Sequence, residues 1–171
     1  RNKANTIWGW TTPGKRVSVT IGNHRGDGTA DTSGKWSVKV DPPAVGGPYT
    51  LTVDGPEHVQ LDDILVGDVW ICSGQSNMEM GIANVKNAQA EIAAANYPGI
   101  RIYMVQKDTA PSPVAQPVGT WLECTPQNIA ANGWGGFSAV AYFFGRELNQ
   151  RLKVPIGLVD TCWGGTIAEA W

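Results

Sequence analysis

Hydrophobic and polar positions change rhythm partway along the chain. Residues 17–21 (Val-Ser-Val-Thr-Ile), 35–40 (Lys-Trp-Ser-Val-Lys-Val) and 49–53 (Tyr-Thr-Leu-Thr-Val) alternate between apolar and polar. A period of two predicts strands that bury one face. Gly, Pro, Asn or Asp bounds each run, and Asp31-Thr32-Ser33-Gly34 reads as a turn. Residues 1–62 therefore predict a small, all-β, sandwich-like domain. The composition shifts at Leu61-Asp62-Asp63-Ile64. Beyond it, short apolar runs at 69–72, 100–105 and 155–160 predict buried strands. Helical spacing separates them. Val85, Ala88, Ile92 and Ala95 share one helical face, with Pro98-Gly99 as the stop. Ser138 predicts the N-cap of a second helix with the apolar stripe Val140, Phe144, Leu148 and Leu152 and with Phe143 beside it. Glu147 and Arg151 stand four apart on that helix, spaced for an ion pair. Residues 106–120, with three prolines, and residues 132–137, rich in Gly, read as loops. Strand–helix–strand alternation with short links predicts right-handed parallel crossovers, so residues 63–171 read as α/β with a parallel sheet.

One stretch in this second part carries candidate chemistry: Asp68-Val69-Trp70-Ile71-Cys72-Ser73-Gly74-Gln75-Ser76-Asn77-Met78-Glu79-Met80. A buried strand here stops at small and polar residues. Gly74 permits a tight turn, and free N–H groups at a following helix start suit an anionic intermediate. Ser76 is the candidate nucleophile. Met78 stands where a nucleophile elbow, Gly-x-Ser-x-Gly, has its second Gly. That departure argues against the α/β-hydrolase fold but not against a serine nucleophile. The expected sheet places Ser76 and the Gly164-Gly165-Thr166 turn at carboxyl ends of strands, where open α/β sheets bind ligands.

Composition narrows the field. Hydrophobic residues make up 42% of the 171 residues and charged residues 16%, an ordinary globular balance that argues against disorder. A net charge of −2 leaves no basic footprint for nucleic acid and no polybasic membrane patch. No apolar run approaches the ~18 residues of a membrane span. The chain starts at Arg1 and reads as a mature or trimmed piece. Cys72, Cys124 and Cys162 fit neither a zinc pattern nor a redox pair. Cys72 and Cys162 both end predicted strands; buried free thiols are the default, and a disulfide in an oxidising compartment stays open. Eight tryptophans more often fill a core than line a carbohydrate site. His24 reads as part of a polar loop and His58 as near a strand edge, both solvated. No metal site and no cofactor is indicated.

Residues Gly67–Glu79, with Gly-Gln-Ser-Asn-Met at 74–78, resemble the signature of the sialate O-acetylesterase family, a branch of the SGNH hydrolases. Cys162-Trp163-Gly164-Gly165-Thr166-Ile167-Ala168-Glu169-Ala170-Trp171 is similar to a second segment of that family, and a weaker likeness runs from Trp8 onward. The resemblance implies an SGNH-type, flavodoxin-like sheet, incomplete in this chain. It implies Ser76 as the catalytic nucleophile and the Ser76 and Gly164 N–H groups as oxyanion donors, with Gln75, Asn77, Gly165 and Thr166 in support. It also implies an acetylated carbohydrate as substrate, removal of the acetyl group through an acyl-enzyme, and a secreted, periplasmic or lysosomal location. The family's oxyanion Asn motif and its Asp-x-x-His-type motif are absent here and are expected in a further segment, of the same or a cleaved chain. This chain alone is thus expected to be a poor esterase. The alternative from another class is a noncatalytic carbohydrate-binding fragment. A glycosidase using Glu79, Glu123 or Glu169 finds no support in their spacing.

Overall fold

Strand β1 (Asn5–Trp10) pairs antiparallel with β4 (Lys35–Val40). A second antiparallel sheet holds β3 (His24–Thr29), β2 (Arg16–Ile21), β5 (Gly46–Asp54) and β6 (His58–Val66), in that order. These coordinates belong to a computed structural model that describes residues 1–167 and 169. The alternating runs do what their period requires: Val17, Val19 and Ile21 of β2, Trp36, Val38 and Val40 of β4, and Leu51 of β5 share one core. Asp31 closes the turn before β4, its Oδ1 accepting from the Ser33 N–H (2.8 Å), Ser33 Oγ (2.6 Å) and the Lys35 N–H (3.1 Å). His24 begins β3 rather than lying in a loop. β3, His-Arg-Gly-Asp-Gly-Thr, has no apolar residue to announce it. Its Gly26 and Gly28 are required by contact, because a Cβ on either would strike Val38.

Contact between residues divides the chain into Arg1–Gly67 and Asp68–Trp171. The composition change at residues 61–64 therefore lies inside β6, and the break falls between Gly67 and Asp68, not after Asp62. The acidic pair that suggested a boundary belongs to an edge strand, where charge is tolerated. Asp62 Oδ1 accepts from Thr50 Oγ1 of β5 at 2.8 Å.

The second unit is built on a mixed sheet: β7 (Asp68–Cys72), β10 (Ile156–Asp160), β8 (Tyr97–Met104) and β9 (Trp121–Cys124), in that order. β10 runs parallel to both β7 and β8, whereas β9 is antiparallel to β8. The parallel part matches the expectation, and the antiparallel edge corrects it. The helix expected over 85–95 is shorter. A single 3-10 turn at Ile82–Asn84 precedes α2 (Ala88–Ala93). Asn87, left-handed at φ 62°, separates Val85 from the helix, and Pro98-Gly99 lie within β8 rather than ending a helix. Val85, Ile92 and Ala95 still reach the common core.

Helix α3 (Pro126–Ala130) starts at Thr125, whose Oγ1 accepts from the Asn128 N–H at 3.2 Å. Helix α4 (Ala139–Leu152) starts at Ser138, whose Oγ accepts from the Ala141 N–H at 3.2 Å, as expected of an N-cap. Its buried face differs from the expected stripe. Ala139, Ala141, Tyr142 and Gly145 are buried, while Val140, Phe144 and Leu152 are exposed. The reason is close approach: a Cβ on Gly145 would strike Leu158 of β10, so α4 lies against the sheet on its small residues. Glu147 and Arg151 do pair, Oε1 to Nε at 2.5 Å.

Candidate active site

The carboxyl ends of β7 and β10 lie side by side, with Asp160 opposite Cys72. Past these ends the pairing continues through loop backbone. The Thr161 N–H donates to the Cys72 carbonyl and the Trp163 N–H to the Gly74 carbonyl, both at 2.9 Å. The turn after β10 is thereby stapled to the turn after β7.

The turn after β7 is short and well anchored. Gly74, at φ 143°, occupies a backbone region that disfavours side chains, and a Cβ there would also crowd Met78. The Gln75 carbonyl accepts from the Met78 and Glu79 N–H groups at 2.9 Å, forming the one-turn helix α1 (Ser76–Glu79). Ser138 Oγ donates to the Met78 carbonyl at 2.5 Å, and the Ala139 N–H donates to the Met80 carbonyl at 2.9 Å. The start of α4 thus holds the turn that carries Ser76. Met78, which breaks the Gly-x-Ser-x-Gly pattern, packs against the core.

Ser76 opens α1 and is exposed at the sheet's carboxyl edge. Gly164 lies beside it: a Cβ built on Gly164 would sit 3.5 Å from Ser76 Oγ and would collide with the Glu79 carboxylate. The Gly164 N–H donates to Glu79 Oε2 at 2.5 Å. Glu79 Oε1 is paired with the Lys107 ammonium, brought in by the segment after β8. Thr166 Oγ1 donates to the Trp163 carbonyl at 2.7 Å and closes the second turn. Gly165, at φ 78°, is exposed with open space around it. Gln75 and Asn77 are exposed, and among the described residues their side chains have no hydrogen-bond partner. The segment's Ala168, Ala170 and Trp171 lie outside the described residues.

The cysteines are not activated as nucleophiles. Cys72 and Cys162 are free and buried, with Cys162 Sγ donating to the Cys72 carbonyl at 3.3 Å. Burial, with the Asp160 carboxylate nearby, pushes the Cys72 thiol up to about 11. Burial and then Asp160 push Cys162 up as well, and burial alone pushes Cys124 up to about 11. All three remain thiols at neutral pH, and a thiol is a poor nucleophile. Asp160 itself orders the turn, its Oδ1 accepting from the Cys162 N–H at 2.9 Å. Among the described residues no side chain hydrogen-bonds to Ser76 Oγ, and residues 68–171 contain no histidine. His58 belongs to the β5–β6 hairpin, with Nδ1 2.6 Å from Asp54 Oδ1. No cluster of three His, Cys, Asp or Glu side chains suited to a metal ion occurs among the described residues. No helix of the described residues is long and apolar enough to cross a membrane.

Sequence reasoning weighed Glu79 only as one carboxylate of a glycosidase pair and passed over Lys107. The signal was present for Glu79, which stands one helical turn after Ser76 and so shares its face. For Lys107 there was none, because a proline-rich loop has no period.

The structure thus sets a serine at the carboxyl end of a parallel strand, beside a glycine turn from the neighbouring strand. The chain belongs to the family of carbohydrate esterases described as sialic acid-specific acetylesterase, whose model matches residues 66–171. It is 36% identical to the sialate O-acetylesterase of Homo sapiens over 182 residues and 34% identical to that of Mus musculus over 180. Each match covers 96% of this chain but 34% and 33% of those proteins. The chain thus spans about a third of the length of these curated relatives. A crystal structure of a carbohydrate acetylesterase from Xanthomonas citri superposes over all of this chain and 39% of its own, with a TM-score of 0.92 and 39% identity.

Proposed function

We propose that this chain supplies the nucleophile and part of the oxyanion hole of a serine esterase that removes O-acetyl groups from sugars, acetylated sialic acid or another acetylated carbohydrate. The observation that carries this reading is the juxtaposition of Ser76 and Gly164 across the β7 and β10 ends, in a family of carbohydrate esterases. Ser76 Oγ attacks the acetyl carbonyl carbon and gives its proton to a base. The Ser76 N–H and the Gly164 N–H, which gives up its bond to Glu79 Oε2, donate to the oxygen that becomes negative. The tetrahedral intermediate then breaks its bond to the sugar oxygen, which leaves with a proton. Water attacks the acetyl-serine and releases acetate. Gln75, Asn77, Gly165 and Thr166 shape the two turns around this centre.

The base is a His, paired with an Asp, carried with an oxyanion Asn on a further segment of a longer polypeptide or on a cleaved partner chain. Its helices and strands complete an SGNH-type, flavodoxin-like sheet. Three observations support this part of the reading: relatives about three times as long, no histidine in residues 68–171, and a sheet face that no helix of the described residues covers, with Val69 and Ile71 exposed on it. A secreted, periplasmic or lysosomal location goes with it.

The test is aryl acetate hydrolysis by the full-length protein and its Ser76→Ala variant. Replacement should lower kcat about 10³-fold or more without moving the Tm. Near-normal turnover by the variant would sink the assignment. Residues 1–171 expressed alone should fall short of the full-length protein in kcat/KM by several orders of magnitude.

A further inference from the structure

We infer that Glu79 is a positioning residue for the oxyanion turn, an inference that rests on the esterase reading above. Its carboxylate bridges three segments that meet at the carboxyl edge of the sheet. Glu79 itself ends α1, one helical turn from Ser76 and on the same face. Oε2 accepts the Gly164 N–H from the turn after β10, and Oε1 takes the Lys107 ammonium from the segment after β8. The side chain is only 15% exposed, so both are charge-assisted bonds in a partly dry setting and stronger than neutral ones.

The turn that Glu79 holds has little side-chain bulk of its own. Gly164 and Gly165 are consecutive glycines, and Gly165 has open space around it. Asp160 Oδ1 and Thr166 Oγ1 shape this turn locally, and backbone staples it to the Ser76 turn through Trp163 and Gly74, one residue short of Gly164. Glu79 extends the staple by one residue, its Oε2 holding the Gly164 N–H in a residue that lies beside Ser76. Gly at 164 is what lets the carboxylate come so close, since a Cβ would collide with it.

Lys107 has a second consequence. An unpaired carboxylate beside the nucleophile would repel the developing oxyanion. The ammonium on Oε1 neutralises it. When an acetyl oxygen arrives next to Ser76, it takes the N–H from Oε2 while Oε1 stays on Lys107. That exchange gives up one hydrogen bond on Oε2, but no covalent bond on Glu79 is made or broken and its proton inventory is unchanged. Glu79 aims the donor before the substrate binds and keeps its counter-charge afterwards.

The test uses full-length protein and measures kcat and KM for an aryl acetate with Ser76→Ala, Glu79→Ala and Glu79→Gln, alongside the rate of Ser76 labelling by a fluorophosphonate. Glu79→Ala should lower kcat about 10- to 100-fold, with KM within about threefold of wild type. Glu79→Gln should recover part of that loss, because its amide oxygen still accepts the Gly164 N–H. Labelling should follow the same order, since phosphonylation uses the same donors. A wild-type kcat for Glu79→Ala, or a Glu79→Gln variant no better than Glu79→Ala, overturns the inference. The Ser76→Ala arm separates the two readings: if it retains turnover, the esterase reading itself fails. If it is inactive while Glu79→Ala is fully active, only the role of Glu79 fails.

Discussion

The two units solve the same problem differently. In residues 1–67, two antiparallel sheets bury their apolar residues against each other, and the alternating strands need nothing further to close that core. In residues 68–171 the parallel strands have two apolar faces and, among the described residues, one cover. Ile100, Ile102, Ile156 and Leu158 lie fully or almost fully buried on the face that α4 packs against. On the opposite face of the same sheet, Val69 is 65% exposed and Ile71 75% exposed, with exposed Trp121 lying over Gly157 nearby. Parallel sheets in α/β proteins are normally covered on both faces. The difference shows that a short apolar strand such as β7 carries a demand for partners that an alternating strand such as β4 does not.

The comparison is most severely tested by Leu158→Ala. Leu158 is fully buried between the sheet and Gly145 of α4. Its truncation should cost about 2–5 kcal/mol through lost burial and the cavity left behind. If the two units hold separate cores, amide exchange should accelerate in β7, β8, β10 and α4 but not in β2, β4 and β5. Equal acceleration in both units would break the comparison.

Ile71→Ser tests the bare face, and its sign should depend on context. In residues 1–171 alone it should reduce self-association in sedimentation velocity, because it removes exposed apolar surface. In the full-length protein it should lower the Tm, at a cost of roughly 1.5–3 kcal/mol if a further segment buries Ile71. An unchanged Tm there would mean that this face stays in water.

Ser138→Ala is the mildest change. It removes the cap of α4 and the bond to the Met78 carbonyl, and should cost about 1–2 kcal/mol in denaturant unfolding of the second unit. It should also loosen the nucleophile turn, visible as faster exchange at the Met80 and Gly81 amides. A loss confined to α4 would show that the turn keeps its shape without this anchor.

What the sequence alone determined was local. Period-two runs set β2, β4 and β5, and continuous apolar runs set β7, β8 and β10. Gly74 and the polar residues after Cys72 marked where β7 would turn and present Ser76. Ser138 capped α4 because a cap needs only its own next three residues. What failed to show locally was decided by contact. β3 contains no apolar residue and exists because β2 supplies its hydrogen bonds, with Val38 lying against its glycines. β9 forms on β8 after a long proline-rich loop, and the apolar stripe read for α4 lost to the close approach of Gly145 to Leu158. At the site, the sequence supplied Ser76 and Glu79 one helical turn apart, but Gly164 and Lys107 at unrelated spacings. Only the parallel pairing of β10 with β7 and β8 brings those strand ends together. There one carboxylate meets a backbone N–H from one loop and an ammonium from another, an encounter between residues distant in sequence that no local period can encode.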